Sequence, residues 1–495
     1  MQRIIIIFLC LLFLLIYTIP ASSSSHTIFE KVQEHRLING ATVLLVERHN
    51  SPTVAAYISF RVGGVNETSQ ERGVAHLLEH MLFKGTKTLG TKDYAAEKPL
   101  LEKIKTVGQQ IDVLRNRHDA DPEEIQQLQD QLKGLQKEHR KLVVKNEFSK
   151  IYGENGGVGY NAFTGKDSTT YLINLPANKL ELWAAIESDR LENAVFREFY
   201  TERDVVHEER RRSYESSPDG LMYETLLATA YKVHPYRNPV IGWNSDIDNL
   251  DPDQIRIFFE KYYTPVNMVI TLVGDFDSEA TLQMVEHYFG KLAPGVPVPP
   301  VVDKEPEQKG ERRVTINFDA EQQLMIAYHK PAMPHKDDYV FDILLQILSE
   351  GRSSRLYKTL VVEKQLVTDV GVFTAPGSRY DNLMILSMTP RYGCSCTDIE
   401  DAVYVELDRL KSELLTSAEL DVARKQIMTS ILRGLEGNGG LARMLSSYQT
   451  LGDWHYLVDY EKQLNLVTAE DVMSATKRYL RADNRTVVTL IRGEN

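Results

Sequence analysis

Apolar and polar positions along this chain switch repeatedly between a period of two and a period near 3.6. Residues 42–47 and 53–62 are rich in β-branched side chains with two-residue alternation and predict strands, whereas 179–191 carries the stripe of an amphipathic helix. Between them, Leu100, Ile104, Val107, Ile111 and Leu114 recur at alternating steps of four and three. Ile125, Leu128, Leu132 and Leu135 resume that spacing after a break at 118–121. The pattern predicts a helical hairpin, or short antiparallel coiled coil. Its second arm opens on Asp121-Pro122-Glu123-Glu124, with Asp at the N-cap and Pro at the first helical position. A charged hairpin of this kind is expected to pack on a neighbour or partner. The Pro- and Gly-rich stretch 293–300, running into the charged segment 303–313, predicts a linker.

The pattern also repeats. Tyr262 to Asn267 and the strand after it recur at Tyr479 to Asn484, an offset of 217. The same shift carries Glu202–Glu209 onto Glu419–Gln426, with Glu, Asp and Val kept at the first, third and fourth places. Two matches at one offset predict a duplicated domain. Aligning Gly85 with Gly351 gives an offset of 266, so the first half holds about 49 extra residues between His80 and Glu209, where the hairpin lies. The chain therefore divides into an N-terminal segment 1–25, a first domain 26–295 with a helical insertion at about 98–147, a linker 296–312 and a second domain 313–495.

Candidate chemistry centres on His76-Leu77-Leu78-Glu79-His80. In a helix, His76 and His80 project from one face and can close on one ion, with Glu79 against the same face. Val74, Ala75, Leu77, Leu78, Met81, Leu82 and Phe83 around them predict a buried helix, and buried imidazoles and carboxylates need a partner that a metal supplies. A third ligand should come from another helix. Several carboxylates compete within 201–209, whose charge pattern alone reads as a solvated face. In the second copy His76 falls on Asp342, Glu79 on Leu345, His80 on Gln346 and Glu209 on Gln426. That correlated loss fits a single metal site, in the first half only.

The remaining composition narrows the class. With 42% hydrophobic and 25% charged residues, the chain has the make-up of a soluble globular protein. A net charge of −12 argues against general nucleic-acid binding. Met1-Gln2-Arg3, an apolar run over 4–17 and small residues at 18–25 follow the order of a secretory signal, with cleavage expected near Ala21 and the periplasm as destination. An uncleaved membrane anchor is the alternative. Cys394 and Cys396 flank one residue, an awkward spacing for a disulfide, and are expected to be structural.

These residues together resemble the pitrilysin/insulinase family of zinc metallopeptidases, which includes the mitochondrial processing peptidase β-subunit and bacterial relatives. The resemblance rests on His76, Glu79 and His80 with Phe83-Lys84-Gly85-Thr86, on Asn161-Ala162-Phe163-Thr164 with Thr169 and Tyr171, and on Glu202 seven before Glu209. It extends to His234-Pro235-Tyr236, Gly242-Trp243 and Gly351-Arg352-Ser353-Ser354-Arg355-Leu356. It implies an α+β fold of two homologous domains, each a largely antiparallel sheet flanked by helices. One Zn2+ would be held by His76, His80 and Glu209, with Glu79 as general base and Glu202 as a supporting carboxylate behind them. Asn161, Ala162 and Phe163 would lie on an edge strand that binds an extended peptide or unfolded polypeptide. One departure stands out: where many relatives carry an Arg and a Tyr seven apart in the second domain, Val362 occupies the Arg place and no Tyr follows. The expectation is therefore a homologous zinc-free partner subunit that supplies that pair, or a second copy of the chain. The rival reading is a non-catalytic assembly or peptide-binding subunit of the same fold.

Overall fold

Strand-forming segments gather into two sheets of matching topology. In the first, β1 (Gln33–Arg36), β2 (Thr42–Glu47), β3 (Thr53–Phe60), β4 (Val158–Thr164), β5 (Thr169–Pro176) and β6 (Met268–Gly274) stand in the order β1-β2-β6-β3-β5-β4. In the second, β7 (Arg312–Phe318), β8 (Gln323–Lys330), β9 (Val367–Ala375), β10 (Asn382–Pro390) and β11 (Arg485–Arg492) stand in the order β7-β11-β8-β10-β9. Apart from the additional β1, the orders are identical, and each sheet holds one parallel pair, β2 with β6 and β7 with β11, among antiparallel ones. The duplication read from the repeat is thus present in the chain path. This computed structural model describes residues 28–493, so the expected signal segment 1–25 and the anchor alternative lie outside the described residues.

Both faces of each sheet are covered, which is why β6 is buried at every position rather than alternating. On the inner face of the first sheet, Val43, Leu45, Ile58, Ile270 and Leu272 pack with Leu77, Leu78 and Met81 of the helix Val74–Met81. The outer face comes from the other half: Leu44, Val46, Ala55, Val269 and Val273 pack against Leu441, Ala442 and Leu445 of the helix Asn438–Leu451. The exchange is reciprocal. Met222, Leu226, Leu227 and Ala230 of Pro218–Ala230 cover Met325, Ala327, Leu383, Ile385, Val488 and Leu490 of the second sheet. Residues 292–311 carry no helix or strand, so the covalent connection lies there. The packing boundary does not: each half lends the other the helix that closes its sheet.

The helical arms Tyr94–Arg115 and Pro122–His139 lie between the helix Val74–Met81 and β4. Asp93 caps the first arm by accepting from Ala96 N, and Asp121 caps the second by accepting from Glu123 N. Ile104, Val107 and Ile111 are the buried stripe of the first arm, as the four-three spacing requires.

Because each sheet needs a helix from the other half, the two halves should unfold together. Leu226→Ala or Leu445→Ala is expected to cost about 2–5 kcal/mol and to lower one calorimetric transition of the whole chain. Two separate transitions, with only one moved by each substitution, would contradict this packing.

Candidate metal centre and peptide cleft

The helix Val74–Met81 turns Val74, Ala75, Leu77, Leu78 and Met81 into the core, which leaves His76, Glu79 and His80 on its open face. The two imidazole centroids are 4.9 Å apart. The helix begins at Gly73, whose φ of 87° and contact with the Ile241 carbonyl leave no room for a side chain. Its first amides are held by a half-buried carboxyl: Glu67 accepts from Gly73 N at 3.0 Å and Ala75 N at 2.9 Å. Burial pushes the Glu67 pKa up to about 8 against the pull of those amides.

Facing it is the helix Phe199–Arg210, on which Glu202 and Glu209, two turns apart, share a side. Glu208 points away and pairs with Arg211 and Arg212 at 2.7 and 2.9 Å. The helix is therefore not the solvated face its charge pattern suggested, since Glu202, Arg203 and Arg210 are buried. Geometry selects Glu209: its carboxylate lies 3.5 Å from His76 Nε2 and 3.4 Å from His80 Nε2, and His76, His80 and Glu209 offer ligand atoms all within 4.8 Å of one another. Two imidazoles and a carboxylate with an open side could hold a metal ion, and they match the donor set of catalytic zinc sites.

Glu202 stands behind, 3.4 Å from His80 Nδ1, and accepts from the Lys84 ammonium. A carboxylate on the second ring nitrogen fixes the tautomer that leaves Nε2 for a metal. Burial opposes charge on His80, but Glu202 and Glu209 outweigh it and hold its pKa up to about 9. His76 and His80 in turn hold Glu209 well below the ordinary carboxylate range.

Glu79 accepts from Thr164 Oγ1 at the end of β4. Among the described residues that strand is an edge of the first sheet, paired only with β5 and irregular between Val158 and Asn161. Ala162 is buried, Asn161 lines a cleft of about 520 Å3 beside Glu79 and His80, and the Phe163 ring lies 5.4 Å from the Arg443 guanidinium. The cleft is also walled by Phe83, Lys84, Glu202 and residues 143–148, the return from the hairpin.

At the matching place in the second half, Gln346 Nε2 donates to Gln426 Oε1 at 2.8 Å, a neutral amide pair where the first half sets His80 against Glu209. Asp342 accepts from Tyr460 Oη at 2.5 Å, and burial pushes its pKa up to about 7. Val362 lies on the segment Tyr357–Glu363 and is exposed. Cys394 and Cys396 are free thiols.

Sequence reading gave no role to Glu67, Lys84, Thr164 or Arg197. For Lys84 a signal existed, since it follows His80 by four and extends the His76–His80 stripe; Thr164 follows Ala162 by two on one strand face. Glu67 and Arg197 act across loops that no periodicity encodes.

Comparison with known proteins places this geometry. Residues 42–117 and 122–243 match the family model described as Insulinase (Peptidase family M16), and 249–427 match that described as Peptidase M16 inactive domain. The zinc protease PqqE of Helicobacter pylori is 28% identical, with 96% of each chain covered. The probable mitochondrial-processing peptidase subunit beta of Schizosaccharomyces pombe is 24% identical, covering 84% of this chain and 81% of its own. A solved protease from Helicobacter pylori superposes with a TM-score of 0.78 at 26% identity, over 93% of this chain and 99% of that one.

A metal entering between His76, His80 and Glu209 must displace the proton that His80 holds up to about pH 9. Zn2+ affinity of the metal-free protein is therefore expected to rise by roughly tenfold per pH unit from pH 7 to about 9 and then level off. Calorimetric titration in buffers of different ionisation heat checks this, and uptake without proton release below pH 9 would contradict it.

Proposed function

The chain belongs to the M16 insulinase family of peptidases, and on that premise we propose that it is a zinc-dependent endopeptidase for peptides or unfolded polypeptides. The observation that carries the reading is the convergence of His76, His80 and Glu209 beside Glu79, next to a sheet edge. Zn2+ in that donor set would supply a Lewis acid that polarises a peptide carbonyl and acidifies a water molecule. Glu79 takes up the proton of the attacking water and returns it to the leaving amine. Thr164, donating to one Glu79 oxygen, orients the carboxylate for both transfers. The substrate backbone adds to β4 along Asn161, Ala162 and Phe163, and main-chain pairing tolerates many side chains, as an enzyme for unfolded chains requires.

Two further parts of the proposal rest on sequence. The charge and hydropathy order of residues 1–25 supports export to the periplasm; among the described residues no helix is long and apolar enough to cross a membrane. Val362, in place of the expected Arg and with no Tyr after it, supports a second polypeptide, a zinc-free homologue or another copy, that completes the substrate grip.

Glu79→Gln is expected to keep the metal bound and to lower turnover by about 10²–10⁴-fold; loss of zinc or retained activity overturns the assignment. Hydrolysis of a quenched fluorescent peptide, by the mature chain alone and with homologous zinc-free subunits, each with and without chelator, separates the remaining readings. Chelator-sensitive cleavage that needs the partner is the expected result. Efficient cleavage by the chain alone removes the partner from the proposal, and none in any mixture supports a binding or assembly role.

A further inference from the structure

His76 and His80 are fixed to each other by one helix, but Glu209 reaches them from a helix whose depth the fold must set separately. Three successive contacts join the hairpin's first arm to the entry and body of that helix. At the entry, Arg197 is fully buried and its Nε donates to Glu97 Oε1 at 2.7 Å. The same oxygen lies 2.7 Å from Nε2 of His139, the last residue of the second arm, so both arms and the helix entry meet on one carboxylate. Arg197 also binds the Lys84, Thr86 and Leu89 carbonyls, in the loop that leaves the His76–His80 helix.

One turn on, the Tyr200 ring packs on Gly108 so closely that a Cβ there would lie 2.0 Å from a ring carbon. Tyr200 Oη donates to the Lys105 carbonyl at 3.3 Å. In the next turn, Arg203 grips Asp112 through two hydrogen bonds of 2.9 and 2.8 Å. At about 100° per residue, Tyr200 projects on nearly the opposite side of the helix from Glu202 and Glu209. The arm therefore presses on the back of the ligand helix. The second half, which has the Gln346–Gln426 pair in place of ligands, has no hairpin at the matching place.

From this geometry we infer that the inserted hairpin is a backstop for the metal centre, with Glu97, Gly108 and Asp112 as positioning residues that set how near Glu209 stands to the two imidazoles. The inference rests on the zinc reading of His76, His80 and Glu209 and adds to it a control element that residues outside the site can tune.

The test uses the mature full chain and reads Zn2+ affinity by chelator competition, the visible spectrum of the Co2+-substituted protein, and kcat against KM for a peptide. Gly108→Ala favours the arm's own helix yet pushes the Tyr200 ring away, so any loss comes from the contact. It is expected to weaken Zn2+ by about 10–100-fold, shift the Co2+ bands and lower kcat more than it raises KM. Asp112→Ala, which leaves Arg203 the Asp248 and Leu250 carbonyls, should act in the same direction. Adding Tyr200→Leu to Gly108→Ala removes the clash and should restore affinity and spectrum, a rescue that general unfolding would not give. Wild-type affinity and Co2+ spectrum in both single variants would overturn the backstop and leave the hairpin an outlying arm. A wild-type chain that binds no Zn2+ would overturn the zinc reading, and the backstop with it.

Discussion

The proposed metal centre draws its ligands from two helices and so depends on the distance between them, the constraint that the rest of this structure serves. Within one helix the i, i+4 spacing fixes two imidazoles at no further cost. Across helices, Glu209 must stand within a few ångströms of two nitrogens that would otherwise be poorly solvated. The carboxylates Glu79, Glu202 and Glu209 crowd the same space; Lys84 relieves their repulsion, and a cation held between His76, His80 and Glu209 would relieve it further. In the absence of a metal, a proton on His80 fills that role, which is why its pKa stands at about 9.

Duplication explains both the frame and its asymmetry. The two halves, built on sheets of one topology, each lend the other a covering helix, so the first half cannot close its outer face alone. The second half keeps the two-helix apposition but joins it with neutral amides at Gln346 and Gln426. Neutral hydrogen bonds tolerate the position without a metal, whereas an unpartnered His–Glu arrangement would carry a desolvation cost.

Much of this was legible in the sequence because it is local or repeated. The strands 42–47 and 53–62 reappear as β2 and β3, the latter ending at Phe60 where the chain turns toward Gly63, a position closed by the Gly165 carbonyl. The hairpin followed from apolar spacing, and the two His ligands from helical geometry. Glu209 could not be told from Glu202 or Glu208 by charge alone, and the repeat loses both Glu208 and Glu209, to Lys425 and Gln426; the family resemblance named Glu209, and the backbone then set it beside the two imidazoles. The helix exchange stayed hidden because an amphipathic stripe says that a face is buried without saying against what. Glu67 and Arg197 stayed hidden because a carboxylate that caps a helix six residues on, or an arginine that binds three carbonyls, has no periodic signature.

On the zinc reading, two imidazoles and a single carboxylate of the first half hold one zinc ion, while the duplicated site holds none. Anomalous diffraction at the zinc edge from crystals of the protein grown with Zn2+ distinguishes the two sites. One peak per chain is expected, about 2.0–2.1 Å from a nitrogen of each of His76 and His80 and about 2.0–2.2 Å from a Glu209 oxygen, and none beside Asp342, Gln346 and Gln426. No peak at the first site, or a peak at the second, would contradict that reading.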